Sequence, residues 1–266
     1  MFLDPYLNYL NSCLKNLLDE YINEYKKDGP PFLAEEIAEI RKVKEIQRVE
    51  MNHDGLLIPV KGGFIIQLNK RHPYAKQNYT CAHEVAHTFF YDLNRDPPKK
   101  IINLENEVEE YLCNLIAARM LIPEEYLRDV KRKVPSIQLL IELSNKFCVS
   151  INTMARRITK ETGIWKCIVI CWRKNKIGFN REWIYAPKDL EKRCMDIPLY
   201  IKNDTFGVYS AYRKGKIKKE EKLKLKSLNS GNELIKTPVI VESCKLSKNL
   251  VTTIINFPNI IRGLSR

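Results

Sequence analysis

The chain has 266 residues, 44% of them hydrophobic and 9% aromatic, enough apolar surface for a folded core and too much for a disordered chain. It contains no run of eighteen apolar residues, which excludes a membrane-spanning helix. The first 27 residues lack the basic start, apolar stretch and cleavage site of a secretion signal, so a cytoplasmic location is expected. The net charge of +13 is uneven. Residues 1–123 hold 15 basic and 18 acidic groups and residues 124–266 hold 30 and 14, so the second part carries +16 and is expected to meet a nucleic acid or other acidic partner, or merely to keep the chain soluble.

In chain order, Tyr6, Leu7, Leu10, Leu14, Leu17, Leu18 and Tyr21 recur at helical spacing over residues 4–27, and Gly29, Pro30 and Pro31 end that helix. A short helix over residues 32–42 follows. The period then changes to three β-prone runs, "KEIQRVEM", "GLLIPV" and "GGFIIQLN", read as a small antiparallel meander with Gly62 and Gly63 at a hairpin turn. The third run, residues 62–69, is the candidate edge for pairing with an extended peptide, and an ordinary core strand is its plain alternative. A long helix is expected from Tyr74 to Leu93, then a loop, "NRDPPKK", and a second long helix stopped by Pro123.

Residues 124–163 read as helical, with two runs joined around "CVS" and Ser150 as the N-cap of the second. Beyond Gly163 and Trp165 the pattern is strand-like again. The basic stretch 213–227 is expected to be a solvated loop or strand edge, and Trp172, Trp183 and Tyr185 line either a pocket or the core. The eight cysteines form no CxxC pair and are expected to be small buried hydrophobes rather than metal ligands.

The chemistry concentrates in "NYTCAHEVAH", residues 78–87. Positions i and i+4 of a helix share one face, so His83 and His87 can offer two imidazoles to one Zn²⁺, with Glu84 beside them as the proton-transferring carboxylate. The plain alternative is two helical histidines paired to carboxylates. A catalytic zinc needs a third protein ligand and an open position. His53 and His72 stand in turn-like contexts. Glu105, Glu107, Glu109 and Glu110 all lie on the helix that follows, where acidic residues are common for other reasons. Spacing favours Glu110, because Asn114 stands one turn beyond it and can hydrogen-bond a ligand histidine.

These blocks, with Asn69, Tyr79, Thr80 and Ala82 before and around the histidines and Glu110, Asn114, Ala117, Leu121 and Pro123 after them, resemble the ImmA/IrrE family of metallopeptidases over residues 31–160. Cys113, Ile116 and Ala86 depart from its usual pattern, and a slip of one turn would replace Glu110 by Glu107. The resemblance implies an α+β fold: a zincin-like domain with a small antiparallel sheet over 1–123, a helix-turn-helix-like segment over 124–163 and a basic α+β domain over 164–266. In some members of the family a sensory, GAF-like domain occupies this last place. The resemblance further implies zinc (manganese serving in its place) on His83, His87 and Glu110, with Glu84 catalytic. The protein substrate would be a helix-turn-helix repressor, cut in a stress or mobile-element response. Arg156, Arg157 and Lys160, in the second helix of the 124–163 segment, are the candidate phosphate contacts there. The alternative is a DNA- or protein-binding regulator that keeps a peptidase fold without turnover.

Overall fold

The computed structural model describes residues 4–226 and 234–257. The chain forms two compact units, Met1–Leu127 with Ser144–Thr153, and Arg128–Leu143 with Met154–Arg266. The expected mixture of helix and sheet holds for both.

In the first unit α1 (Asp4–Tyr25) buries Leu10, Leu14, Leu17, Leu18 and Tyr21, the stripe its sequence spacing sets out. After α2 (Ala34–Ile40) come β1 (Val43–Val49), β2 (Gly55–Val60) and β3 (Gly63–Asn69). Their order is β1-β3-β2, with β1 parallel and β2 antiparallel to β3, so the expected antiparallel meander is corrected to a mixed sheet. Only β2 and β3 form a hairpin, turning at Gly62 with φ +77. β1 takes the far side of β3, and the crossover from β1 to β2 is tied down by Asn69, whose Nδ2 donates to the carbonyls of Met51 and His53. Gly63 lies against the residue that leads into β1: a Cβ there would stand 2.0 Å from the Lys42 carbonyl oxygen.

The next helix, α3, spans Tyr74–His87 and ends six residues short of the expected Leu93. The Thr88 hydroxyl donates to Val85 O at 2.6 Å, a 3-10 turn over Thr88–Phe90 buries both phenylalanines, and β4 (Tyr91–Asp92) pairs with β5 (Lys99–Lys100). α4 (Asn106–Leu121) buries residues all round, from Leu112 to Leu121, so it is an interior helix.

The chain between 124 and 161 is helical in pieces: a 3-10 stretch over Glu124–Arg132, α5 (Ile137–Lys146) and α6 (Ile151–Arg156). Ser150 caps α6 as expected, accepting from Thr153 N at 3.1 Å. A π turn over Arg157–Glu161 follows. The second unit is built on β6 (Cys167–Lys174), β7 (Phe179–Tyr185), α7 (Glu191–Cys194), β8 (Tyr200–Ile201), α8 (Val208–Lys214), β9 (Lys216–Lys226), β10 (Leu234–Ser247) and β11 (Leu250–Asn256). Its six strands run in the order β8-β7-β6-β11-β10-β9, every neighbouring pair antiparallel. The core on one face includes Ile168, Ile170, Trp172, Phe206, Val241 and Ile255. Trp172 is therefore a core residue, while Trp183 and Tyr185 stack half-buried with centroids 5.1 Å apart. β9, the basic stretch, is an edge strand. Among the described residues no helix is long and apolar enough to cross a membrane.

Candidate metal centre

α3 carries His83 and His87 one turn apart, anchored by the buried Ala82, Val85 and Ala86. Their Nε2 atoms lie 3.2 Å from each other. α4 brings Glu110 against both: its carboxylate is 3.1 Å from His83 Nε2 and 3.4 Å from His87 Nε2. A tetrahedral ion bound at about 2.0–2.1 Å to each donor separates its donors by about 3.3 Å. The three observed spacings bracket that value, so this donor set fits a zinc ion. These three residues are the only such cluster of metal-capable side chains among the described residues. Glu105 and Glu107 are exposed on the first turn of α4 or just before it, and His72 turns to Asp54 and Lys76 instead.

The surroundings hold the histidines in place. His87 Nδ1 is 2.9 Å from an oxygen of Glu109, which is only 5% exposed and is also held by Lys100 Nζ at 2.6 and 2.8 Å. A carboxylate on the far nitrogen fixes the tautomer of a metal-binding histidine. Reading the sequence singled out Glu110 and left Glu109 aside. Its only sequence signal is its place beside Glu110, and Lys100 reaches it only through the β4–β5 hairpin. Asn114 sits where its Nδ2 donates to Glu110 O at 2.8 Å and its Oδ1 accepts from Tyr79 OH at 3.0 Å. Burial and the neighbouring His87 push the His83 pKa down, with Glu110 and Asn114 acting the other way.

Glu84 is 7% exposed and lies against β2, where the backbone of Leu57 favours its charged form. Burial first, then the charge of Glu110, raise its pKa to about 7. Gly55 makes the approach of strand to helix possible: a Cβ there would fall 2.5 Å from Thr80 Cγ2 and 2.9 Å from Glu84 Oε1. At the end of α3, Arg41 donates to Thr88 Oγ1 at 2.9 Å and Thr88 O at 3.0 Å and lies 4.8 Å from the Phe89 ring. A cation is thus fixed where the helix carbonyls end, next to His87.

Two further expectations change. β3 lies between β1 and β2, so residues 62–69 are a core strand and not a pairing edge. The free edge beside Glu84 belongs to β2. Asn69 N donates to Asp54 O, which fixes the alternation so that Leu56 and Ile58 face β3 while Gly55, Leu57 and Pro59 point outward. In the 124–163 segment, Arg157 is 4% exposed and 3.5 Å from Glu161, which also pairs with Arg156 at 3.0 Å. Of the three expected phosphate contacts, only Lys160 is exposed and outside these pairs.

Residues 43–159 match the family model Peptidase_M78, described as the IrrE N-terminal-like domain. The family resemblance read from the motifs is borne out over that stretch. No curated protein matches the chain. Among solved structures the chain is similar to a Mycobacterium tuberculosis transcriptional regulator, with a TM-score of 0.53 at 13% identity, covering 96% of this chain and 78% of that one. That likeness concerns the fold.

Proposed function

We propose, from the IrrE N-terminal-like domain over residues 43–159, that the protein is a zinc-dependent endopeptidase making selective cuts in a regulatory protein. The substrate, by the family resemblance, is a helix-turn-helix repressor, and the setting is a cytoplasmic stress or mobile-element response. The observation that carries the reading is the triangle of His83, His87 and Glu110 donors at 3.1–3.4 Å with Glu84 buried beside it.

When bound, zinc (or manganese, which the same donors accept) supplies a Lewis acid for the scissile carbonyl. Glu84 takes a proton from the attacking water and returns it to the leaving amine, a task for which a carboxyl pKa near neutrality suits it. Glu109 and Lys100 keep His87 oriented, and Arg41 holds the turn from which His87 projects. The free edge of β2 receives the substrate as an added strand. Pro59 has no N–H, so this edge offers three carbonyls, those of Gly55, Leu57 and Pro59, and fewer donors, and the substrate supplies N–H groups to it.

The test measures zinc content and new N-termini in a peptide library derived from a bacterial proteome, for the wild type and Glu84→Gln. One zinc in each, with cleavage only in the wild type, supports the reading. Zinc in both with no cleavage in either favours the regulator that keeps the fold without turnover. Cleavage that survives Glu84→Gln removes Glu84 from its role.

A further inference from the structure

We propose that Glu107 and Tyr111 select substrates with a basic side chain, arginine above all, one or two residues before the scissile bond. The inference rests on the peptidase reading and deepens it. α4 runs antiparallel to α3, because His87 meets Glu109, His83 meets Glu110 and Tyr79 meets Asn114. Successive residues of a helix turn by about 100°, so from Glu110, which faces the histidines, Glu109 stands about 100° and Cys113 about 60° to one side. Both are shut in, at 5% and 1% exposure. Glu107 and Tyr111 stand about 60° and 100° to the other side, where both are exposed, Tyr111 at 48%.

On α3, Thr80 and Glu84 are offset from His83 by the same angles, about 60° and 100°. Two right-handed helices that face each other antiparallel turn equal offsets to the same side. Glu107 and Tyr111 therefore share the side on which Thr80 and Glu84 meet β2 at Gly55. The free edge of β2 and this stretch of α4 flank the three donors from opposite directions, with room for the substrate strand between them.

Charge sets the kind of side chain. Glu107 is in no ion pair among the described residues, and Lys100 is already held by Glu109. Tyr111 is one turn beyond Glu107, at the spacing that brings two helical side chains together. A carboxylate beside an aromatic ring suits a guanidinium, which pairs with the one and stacks on the other. An acid in a first helical turn also complements the helix dipole, but that role calls for no exposed tyrosine beside it. Direction sets the position. Lys76 pairs with Asp54 at 2.8 Å, Thr80 lies against Gly55, and Glu84 lies against Gly55 and the Leu57 backbone, so β2 and α3 run the same way. Glu107 is about 4.5 Å along the axis from Glu110, toward the end of α3 and hence the Pro59 end of β2. Antiparallel pairing, the more stable kind, brings the residues before the scissile bond to that end.

The experiment follows binding of the zinc-loaded full chain to fluorescein-labelled dipeptide hydroxamates, whose C-terminal hydroxamate takes the metal. Both residues of a probe are arginine, norleucine or glutamate. The arginine probe is expected to bind about tenfold tighter than norleucine, from one exposed ion pair and one cation–π contact, with glutamate weaker still. Glu107→Gln and Tyr111→Leu each reduce that preference to about threefold, and Glu107→Lys turns it toward glutamate. Glu124→Gln, an exposed acid past the far end of α4, keeps the preference of the wild type. The ratio between probes within one variant is the readout, so a general loss of affinity does not imitate it. Equal binding of the three probes by the wild type, or a preference that Glu107→Gln and Glu124→Gln lower alike, overturns the proposal and leaves the peptidase reading standing. Zinc-loaded protein that binds none of the probes overturns that reading, and the proposal with it.

Discussion

Replacing Glu109 by Gln removes the negative charge behind His87 and keeps the side-chain shape. The carboxylate faces two donors, His87 Nδ1 at 2.9 Å and Lys100 Nζ at 2.6 Å, in a place that is 5% exposed. A glutamine oxygen in the place of Glu109 Oε1 can still accept from both donors, but its NH₂ then faces Lys100 Nζ and the charge behind both contacts is gone. Hydrogen bonds to charged groups contribute about 1.5–3 kcal/mol, and such outer partners of a metal-binding histidine typically contribute 10- to 100-fold in metal affinity. The two magnitudes agree, since tenfold corresponds to about 1.4 kcal/mol. The zinc Kd of Glu109→Gln, measured at pH 7 by competition with a chromogenic chelator, is expected to weaken by about 10- to 100-fold. Circular dichroism and a thermal melt of the metal-free variant verify the fold. Glu110→Ala loses a donor of the triangle and must cost more. A Kd within threefold of wild type for Glu109→Gln, or a loss equal to that of Glu110→Ala, refutes the reasoning.

Zinc at 100 times its Kd adds about 2.7 kcal/mol to the folded state, so chelation should lower the melting temperature by roughly 5–10 °C in calorimetry, and an unchanged melt would count against a folded-state site. Gly55→Ala drives a methyl group into Thr80 and Glu84, and a loss of about 1–3 kcal/mol in urea unfolding is expected, together with reduced cleavage at unchanged zinc content. Glu161→Gln removes the carboxylate 3.5 Å from the buried Arg157 and should destabilise the second unit by about 3–5 kcal/mol, read as a shift of the urea midpoint followed by tryptophan fluorescence.

What the sequence made legible follows the chain's own periodicity. His83 and His87 are one helical turn apart, so a single helix suffices to bring their nitrogens together, and the same holds for the buried stripe of α1 and the Ser150 cap. Glu110 needed more, because which turn of α4 faces α3 depends on packing between helices. There the ordered blocks of the family pattern supplied the register, and the structure puts Glu110 rather than Glu107 at the histidines. Glu109 stayed hidden for a physical reason. An acidic residue in a first helical turn is ordinary, and only the fold brings Lys100 and the far nitrogen of His87 to it.

The errors share a cause: a local pattern names the element but not its neighbours. Short β-prone runs between turn residues identified β2 and β3 as strands, yet whether β1 adds beside β2 or beside β3 is settled by the crossover that Asn69 ties, and that choice decides which strand has a free edge near Glu84. Arg157 was misplaced through a change of helical pitch. A 3.6-residue period carries it to the outside with Arg156, but the π turn, seen in Thr162 N donating to Arg157 O, adds a residue to the turn, and Arg157 lies buried beside Glu161. With those arginines committed to Glu161, the surplus charge of the second part must be sought on an exposed element, and the exposed Lys218 and Lys222 of β9 carry part of it.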